Sequence, residues 1–361
     1  MRIIRKTTIC VILLCIATIL FACGSDFHTA NISLYEVELS EVQAHCGAAY
    51  YLSKDGTLYS TGADSDTASF VSYQNSSKGI VAENVKCFGE YVGGGYYVDL
   101  ENNLYMWNED ALPLFGYFEE EKHQKILDNV NFASSSGSSL IYVDMNFDLY
   151  LIGLFAEEMY SIEKPKLLAK DVICADINNN GVVLWANNKG HIGFYGNINS
   201  SIIEELNVQF ADSHIMDIGL EKDYIAILSN SQLWYYGDYD KLVSGKASQI
   251  TGLTMLKKDV LRISCSINTI MALDAGGSAF LWGRCVSNDG QNTDSVQFEF
   301  VENFCLTQQA ESIFVSDSSI CYIDREGKSN IFYASSWPSF YGNSTKDFFV
   351  GIRRDPNKWI K

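Results

Sequence analysis

The side chains able to do chemistry are spread thinly along this chain of 361 residues. Its five histidines, His28, His45, His123, His191 and His214, share no metal-ligand spacing, and none stands beside a serine or cysteine in a nucleophile motif. Ser134 to Ser139 lacks the flanking glycine pair that holds a nucleophile on a sharp elbow, and reads as a connection between strands. Gly245-Lys246-Ala247-Ser248 has the lysine of a nucleotide loop without the upstream glycine spacing or the adjoining hydroxyl. Gly93-Gly94-Gly95 leads into a strand-like run and not a helix, so it reads as a tight turn and not a phosphate cradle. Glu119-Glu120-Glu121 and Glu204-Glu205 could serve glycoside hydrolysis only if folding set two carboxylates across a sugar; such charge runs ordinarily lie in solvated loops. The nearest approach to a metal site is Asp176-Ile177-Asn178-Asn179-Asn180-Gly181, the first six positions of a calcium loop, with Asn187 where the bidentate glutamate belongs. Asp144-Met145-Asn146-Phe147-Asp148 alternates similarly without the glycine. Asx residues in this density favour turns through local backbone hydrogen bonds. No metal, cofactor or catalytic residue is therefore expected. Tyr73, Tyr117, Tyr235, Tyr236, Tyr239, Trp337 and Tyr341 lie near strand ends or in connections, where aromatics either pack between sheets or present a hot spot to a protein or sugar.

The elements that must position any site are dictated by a repeat. A phrase of turn residues, an apolar pair, two further residues and a small residue recurs as Asp55-Gly56-Thr57-Leu58-Tyr59-Ser60-Thr61-Gly62, and again at 101–108, 146–153, 189–196, 230–237 and 276–283. A seventh copy, 326–334, requires a one-residue insertion. The closing residues, 62, 108, 153, 196, 237, 283 and 334, are spaced by about 45 residues, the period of a propeller blade. Each phrase follows an apolar run, such as Tyr50-Tyr51-Leu52 or Ile270-Met271-Ala272-Leu273, so run and phrase form a hairpin. A third element lies upstream, as in Ile80-Val81-Ala82-Glu83-Asn84-Val85 and Leu167-Leu168-Ala169-Lys170-Asp171-Val172. No stretch sustains a 3.6-residue apolar period, which argues against helical repeats. Strands this short cannot bury both faces alone, whereas sheets stacked around an axis cover one another. The expected fold is all-β, a seven-bladed β-propeller of antiparallel blades over 34–361.

This pattern resembles the regulator of chromosome condensation repeat family, whose blades read as a glycine, an apolar strand, an Asp-Gly turn, an apolar-aromatic pair and Trp-Gly. The resemblance spans about residues 34 to 334, with Asp-Gly intact at Asp55-Gly56 and Trp-Gly at Trp282-Gly283. It implies a seven-bladed propeller that works as a recognition platform through loops on the two rims of the ring.

The first residues bear on location. Arg2, Arg5 and Lys6 precede an apolar run from Ile9 to Leu20, the pattern of a signal peptide. Leu20-Phe21-Ala22-Cys23-Gly24 resembles a bacterial lipobox, which implies cleavage after residue 22, lipidation of Cys23 and a stalk over 23–33. The competing reading is an uncleaved membrane helix, for which the apolar run is short. Loss of the three leader cations would deepen the formal charge from −18 to −21. A phosphate-binding stripe is missing, so no nucleic acid is expected as partner. Cys10 and Cys15 leave with the leader; Cys46, Cys87, Cys174, Cys265, Cys285, Cys305 and Cys321 remain, an odd number without a CxxC pair, expected mostly as buried thiols. The expectation is a lipid-anchored, extracytoplasmic protein-binding module at the cell membrane, without catalysis, whose partner is an envelope or extracellular protein or, secondarily, a glycan. The alternatives are a carbohydrate-active lipoprotein using carboxylates in a central channel, and a transporter's solute-binding lipoprotein, which requires two α/β lobes.

Overall fold

The apolar run and the phrase of each repeat pair as an antiparallel hairpin, and seven such hairpins, each extended by further strands, make seven sheets around one axis. The computed structural model describes residues 37–333 except 46–47, 63–78, 92–93, 109–123, 137–138, 156–157, 161–163, 249, 288–296 and 317–318. Blade 1 holds β1 (Leu39–His45), β2 (Ala48–Ser53), β3 (Leu58–Gly62) and β4 (Gly79–Ala82). Blade 2 holds β5 (Val85–Tyr91), β6 (Gly94–Asp99), β7 (Leu104–Asn108) and β8 (Gln124–Leu127). Blade 3 holds β9 (Val130–Ser136), β10 (Ser139–Asp144), β11 (Leu149–Phe155), β12 (Glu158–Tyr160) and β13 (Lys166–Ala169), the last two both on the edge of β11. Blade 4 holds β14 (Val172–Ile177), β15 (Val183–Asn187) and β16 (Ile192–Tyr195), followed by helix α1 (Ser200–Gln209). Blade 5 holds β17 (Ile215–Leu220), β18 (Tyr224–Ser229) and β19 (Gln232–Asp238), then helix α2 (Tyr239–Ser244) and β20 (Thr251–Lys258). Blade 6 holds β21 (Val260–Ser266), β22 (Thr269–Asp274), β23 (Ala279–Ser287) and β24 (Gln297–Thr307), and blade 7 holds β25 (Ala310–Val315), β26 (Ser319–Asp324) and β27 (Ser329–Tyr333).

Second strands are buried on both faces because each blade is sandwiched by its neighbours; every residue of Tyr224–Ser229 is buried. The apolar clusters accordingly bridge consecutive blades: Tyr96, Val98 and Met106 pack with Leu140, Tyr142 and Ile152, while Leu184, Ile192 and Leu206 pack with Ile218 and Ile227. Fully burying such a side chain is worth about 1.5–3 kcal/mol. The second residue of the phrase lies in the left-handed region in every blade, at Gly56, Asn102, Phe147, Gly190, Ser231, Gly277 and Gly327. The last residue of the second strand often closes this turn. Asp99, Asp144, Asn187, Asp274 and Asp324 each accept two backbone N–H bonds through one side-chain oxygen. The turn then reaches across: the carbonyl of Gly56 accepts from Val85 N, that of Asn102 from Val130 N and that of Phe147 from Val172 N, at 2.8–2.9 Å. Six of the seven hairpin tips, all but that of blade 4, make such a backbone bond to the start of the next innermost strand.

Three sequence readings change. The upstream third element is the outer strand of the preceding blade plus a turn: Ile80 and Ala82 pair with β3, and Val85 opens β5. The seventh phrase needs no insertion, since Ser329 pairs with Ile323 as Leu58 pairs with Leu52, so Tyr333 occupies the place of Gly62 opposite the first residue of the second strand. Two helices occur where none was expected. Helix α1 takes the place of an outer strand in blade 4: the Asn207 amide accepts from Ile192 N at 2.8 Å and donates to Ile192 O at 2.9 Å, satisfying the edge of β16 as a strand would. The strands form one ring and not two α/β lobes, which removes the solute-binding alternative. Blade 7 closes against blade 1: Leu39 N donates to Gly327 O at 3.1 Å, and the Ser316 hydroxyl donates to Ala44 O at 2.9 Å, with Ser319 on the same carbonyl.

Candidate functional site

Seven innermost strands, β1, β5, β9, β14, β17, β21 and β25, surround the axis, and each is bulged after its first residue, which turns the following side chains inward. At the third or fifth place these strands carry Glu41, Asp176 and Asp217, with Arg262 as the cation among them. Most of these polar groups are spent on neighbouring strands. Gln43 Nε2 donates to Phe88 O at 3.0 Å and to Glu41 Oε1 at 3.2 Å. Asp176 accepts from Leu220 N of the next blade at 2.8 Å, from Ile177 N at 2.9 Å and from the Ser134 hydroxyl of the preceding blade at 3.1 Å. Asp217 accepts from Ile218 N at 2.9 Å, and the Ser264 hydroxyl accepts from Val315 N at 2.9 Å. Burial raises the carboxyl of Glu41, opposed by Gln43 and Arg262, and raises Asp176 against its three hydrogen bonds. Burial, reinforced by the charge of Asp176, pushes Asp217 up to about 7, against the Ile218 N–H and Arg262. A carboxyl that titrates near neutrality is suited to proton transfer, yet here it also ties down its own strand. Cys87 and Cys174 beside these acids are pushed up to about 11 and about 12 by burial, which makes them inert thiols.

One rim of the ring is built from the hairpin tips and the turns that join successive blades. On blades 2 and 3 it carries large apolar side chains in solvent: Leu100 is 61% exposed, Met145 43% and Phe147 47%. The two tips bracket the turn Asp128–Asn131, because Asn102 O accepts from Val130 N at 2.8 Å and Met145 N donates to Asn129 O at 2.9 Å. Phe147 has φ of 64° at the place where glycine stands in four other blades. An L-residue held there costs about 1–2 kcal/mol, a strain that packing does not require of an exposed side chain.

The residues singled out from sequence do not converge on one site, and those that meet do so as structural contacts. His28, His123, Tyr73, Tyr117, Trp337, Tyr341, the Glu119-Glu120-Glu121 run, Cys23 and Cys46 lie outside the described residues. His191 and His214 are exposed on separate blades, as are Glu204 and Glu205 on α1. Ser134 and Ser136 reach blade 4, at Asp176 and Asn179, as inter-blade ties. The calcium-like segments are turns: Asn178 Oδ1 accepts from Asn180 N and Val182 N, and Asp144 Oδ1 from Asn146 N and Asp148 N. Among the described residues no group of three or more His, Cys, Asp and Glu could hold a metal. Tyr235 is core, 2% exposed, with its hydroxyl on Asp238 O, while Tyr239 bonds Glu302 at 2.7 Å. Cys87, Cys174, Cys265, Cys305 and Cys321 are free thiols, and Cys305 is exposed.

These features define a seven-bladed β-propeller with a carboxylate-bearing axis and one rim that is apolar over two blades. No known family profile matches the chain, and no curated protein does. Among solved structures it is similar to human WBSCR16 at 13% identity and a TM-score of 0.58, covering 78% of this chain and 85% of that one. Yeast RCC1 (Prp20), solved bound to Kap60, aligns at 10% identity and a TM-score of 0.48, covering 69% and 71%. PorZ of Porphyromonas gingivalis aligns at 10% identity and a TM-score of 0.49, covering 83% of this chain and 37% of that one. At 13% identity the likeness to WBSCR16 is one of fold.

Proposed function

We propose that the chain is a protein-binding propeller without catalytic activity, exported and held at the outer face of the cytoplasmic membrane by lipid on Cys23. The observation that carries the binding half is the tip rim of blades 2 and 3, where Leu100, Met145 and Phe147 stand in solvent and Phe147 keeps a strained backbone. Strain retained at an exposed aromatic fits selection for contact with another molecule. The channel carboxylates support the same reading, since each one bonds a strand or a side chain beside it. The anchor rests on Leu20-Phe21-Ala22-Cys23 and the basic, apolar leader. Expression in a bacterium with an alkyne-tagged fatty acid tests it: label enters the wild type and is lost in Cys23→Ser, which moves to the soluble fraction. Unlabelled wild-type protein would overturn the anchor. For the binding half, in-cell cross-linking from position 145 is expected to give one discrete adduct.

A second reading, carbohydrate-active, is favoured by one feature: burial, reinforced by the charge of Asp176, pushes the Asp217 carboxyl up to about 7. It predicts hydrolysis of a glycan that disappears in Asp217→Asn while folding is retained.

A further inference from the structure

The apolar tips of blades 2 and 3 lie among more carboxylates than cations. Asp99 and Glu101 belong to the first tip, Asp128 to the turn between, and Asp144 and Asp148 to the second, and no cation occurs within 99–103, 128–131 or 144–148. The nearby lysines are engaged: Lys125 pairs with Asp128, Lys170 with Asp148 at 3.6 Å, and Lys86 bonds the amide oxygens of Asn102 at 3.1 Å and Asn131 at 3.0 Å. Lys86 thereby ties the blade 2 tip to the inter-blade turn, which makes one preformed surface of the two tips. Its most exposed elements are Leu100 and Phe147, three apolar side chains in all with Met145. The whole chain carries a formal charge of −18, so long-range attraction acts on cations as well. An anionic membrane or a nucleic acid is repelled by the same charges.

We infer that this two-tip surface is a docking site for a basic protein segment, one that buries large apolar anchors on Leu100, Met145 and Phe147 while its lysines or arginines meet the surrounding carboxylates. The inference rests on the protein-binding reading and adds the site and the partner's chemistry. The apolar triad supplies affinity, because exposed Leu, Met and Phe lose water on contact. The carboxylate frame supplies selection and association rate, falling with salt.

Panning an unbiased random peptide display library on the full chain in detergent tests it, with the recovered peptides then resynthesised. Enriched peptides are expected to carry net positive charge and at least one large apolar residue, and to bind about tenfold more weakly at high salt. The triple variant Leu100→Ser, Met145→Ser, Phe147→Asn is expected to lose at least tenfold in affinity. Leu100→Ser alone, at the most exposed position, is expected to lose severalfold with unchanged melting, which separates contact from folding. Neutral or acidic consensus peptides, or basic peptides that bind both variants as well as the wild type, overturn the site assignment and leave the protein-binding reading standing. No enrichment of any peptide, together with no adduct in the cross-linking experiment above, overturns both.

Discussion

Replacing Asp217 by asparagine removes an ionisable group from the axis and keeps an oxygen for the Ile218 N–H. The wild-type carboxyl is raised from 3.8 to about 7, chiefly by burial. That shift of about three pH units corresponds to about 4 kcal/mol at ~1.36 kcal/mol per unit. The side chain is half-buried and faces the channel, so solvent screening reduces the figure to about 1–2 kcal/mol. The folded state holds this proton more tightly than the unfolded chain does. Stability is therefore intact below about pH 4, falls as pH rises through the window from about 4 to about 7, and is level above it. Asparagine cannot ionise, so the variant gains on the wild type above pH 7 and gains nothing at pH 4. At about 2–4 °C per kcal/mol for a large domain, the expected rise in Tm at pH 8 is about 2–8 °C. Thermal unfolding of both proteins from pH 4 to 8.5 reads this directly. Glu41 and Asp176 titrate in both, so the difference between the two curves isolates Asp217 apart from its coupling to Asp176. Equal melting at pH 8, or a gain that persists unchanged at pH 4, would refute the reasoning.

Gly193→Ala places a methyl 2.5 Å from the Trp185 indole, which lies over that glycine; overpacking of this kind costs about 1–3 kcal/mol and should shift tryptophan emission to the red as the ring is expelled. Asn207→Ala strips the edge of β16 of the two bonds that α1 supplies at Ile192, at a cost of about 1–3 kcal/mol, seen as faster amide exchange at Ile192 than at Leu184. Among the described thiols, a maleimide should label exposed Cys305 rapidly in the native protein, while Cys174 and Cys321, buried and both pushed up to about 12, should react only on unfolding. Peptide mapping of the labelled protein shows which sites were modified.

The hairpins were legible because run and phrase share an apolar pattern with a turn between them, as in Tyr50-Tyr51-Leu52 before Leu58-Tyr59. The blade boundary was not, since Ile80 to Val85 reads as one apolar element while its turn at Asn84, with φ of 60°, divides two sheets. Helix α1 escaped because its burial rests on Ile203 and Leu206, with Phe210 at its end, too few turns for a periodic signal. The axial acids are distant in sequence and each belongs to a different strand; they share nothing but an odd-numbered place, third or fifth, in that strand, and this becomes visible once Leu39, Val172 and Ile215 are aligned as strand starts. Phe147 could have been noticed from sequence, standing in the second place of its phrase where Gly56, Gly190, Gly277 and Gly327 stand in theirs. The bond from six of the seven tips to the next strand is carried by backbone atoms, which no side-chain pattern announces.

Every sheet among the described residues is made of strands consecutive in the chain, and none borrows a strand from the far end of the molecule to lock the circle. Among the described residues the ring has no clasp. A gene duplication that copied one unit of about 45 residues would deliver a finished sheet with its own leading turn and trailing tip, and no orphan strand would be left searching for a distant complement. In rings whose first and last segments interlace, the same event must also relocate the interlaced strand. Lineages with this wiring are thus free to gain, lose or exchange whole blades, and with them the surface each blade displays.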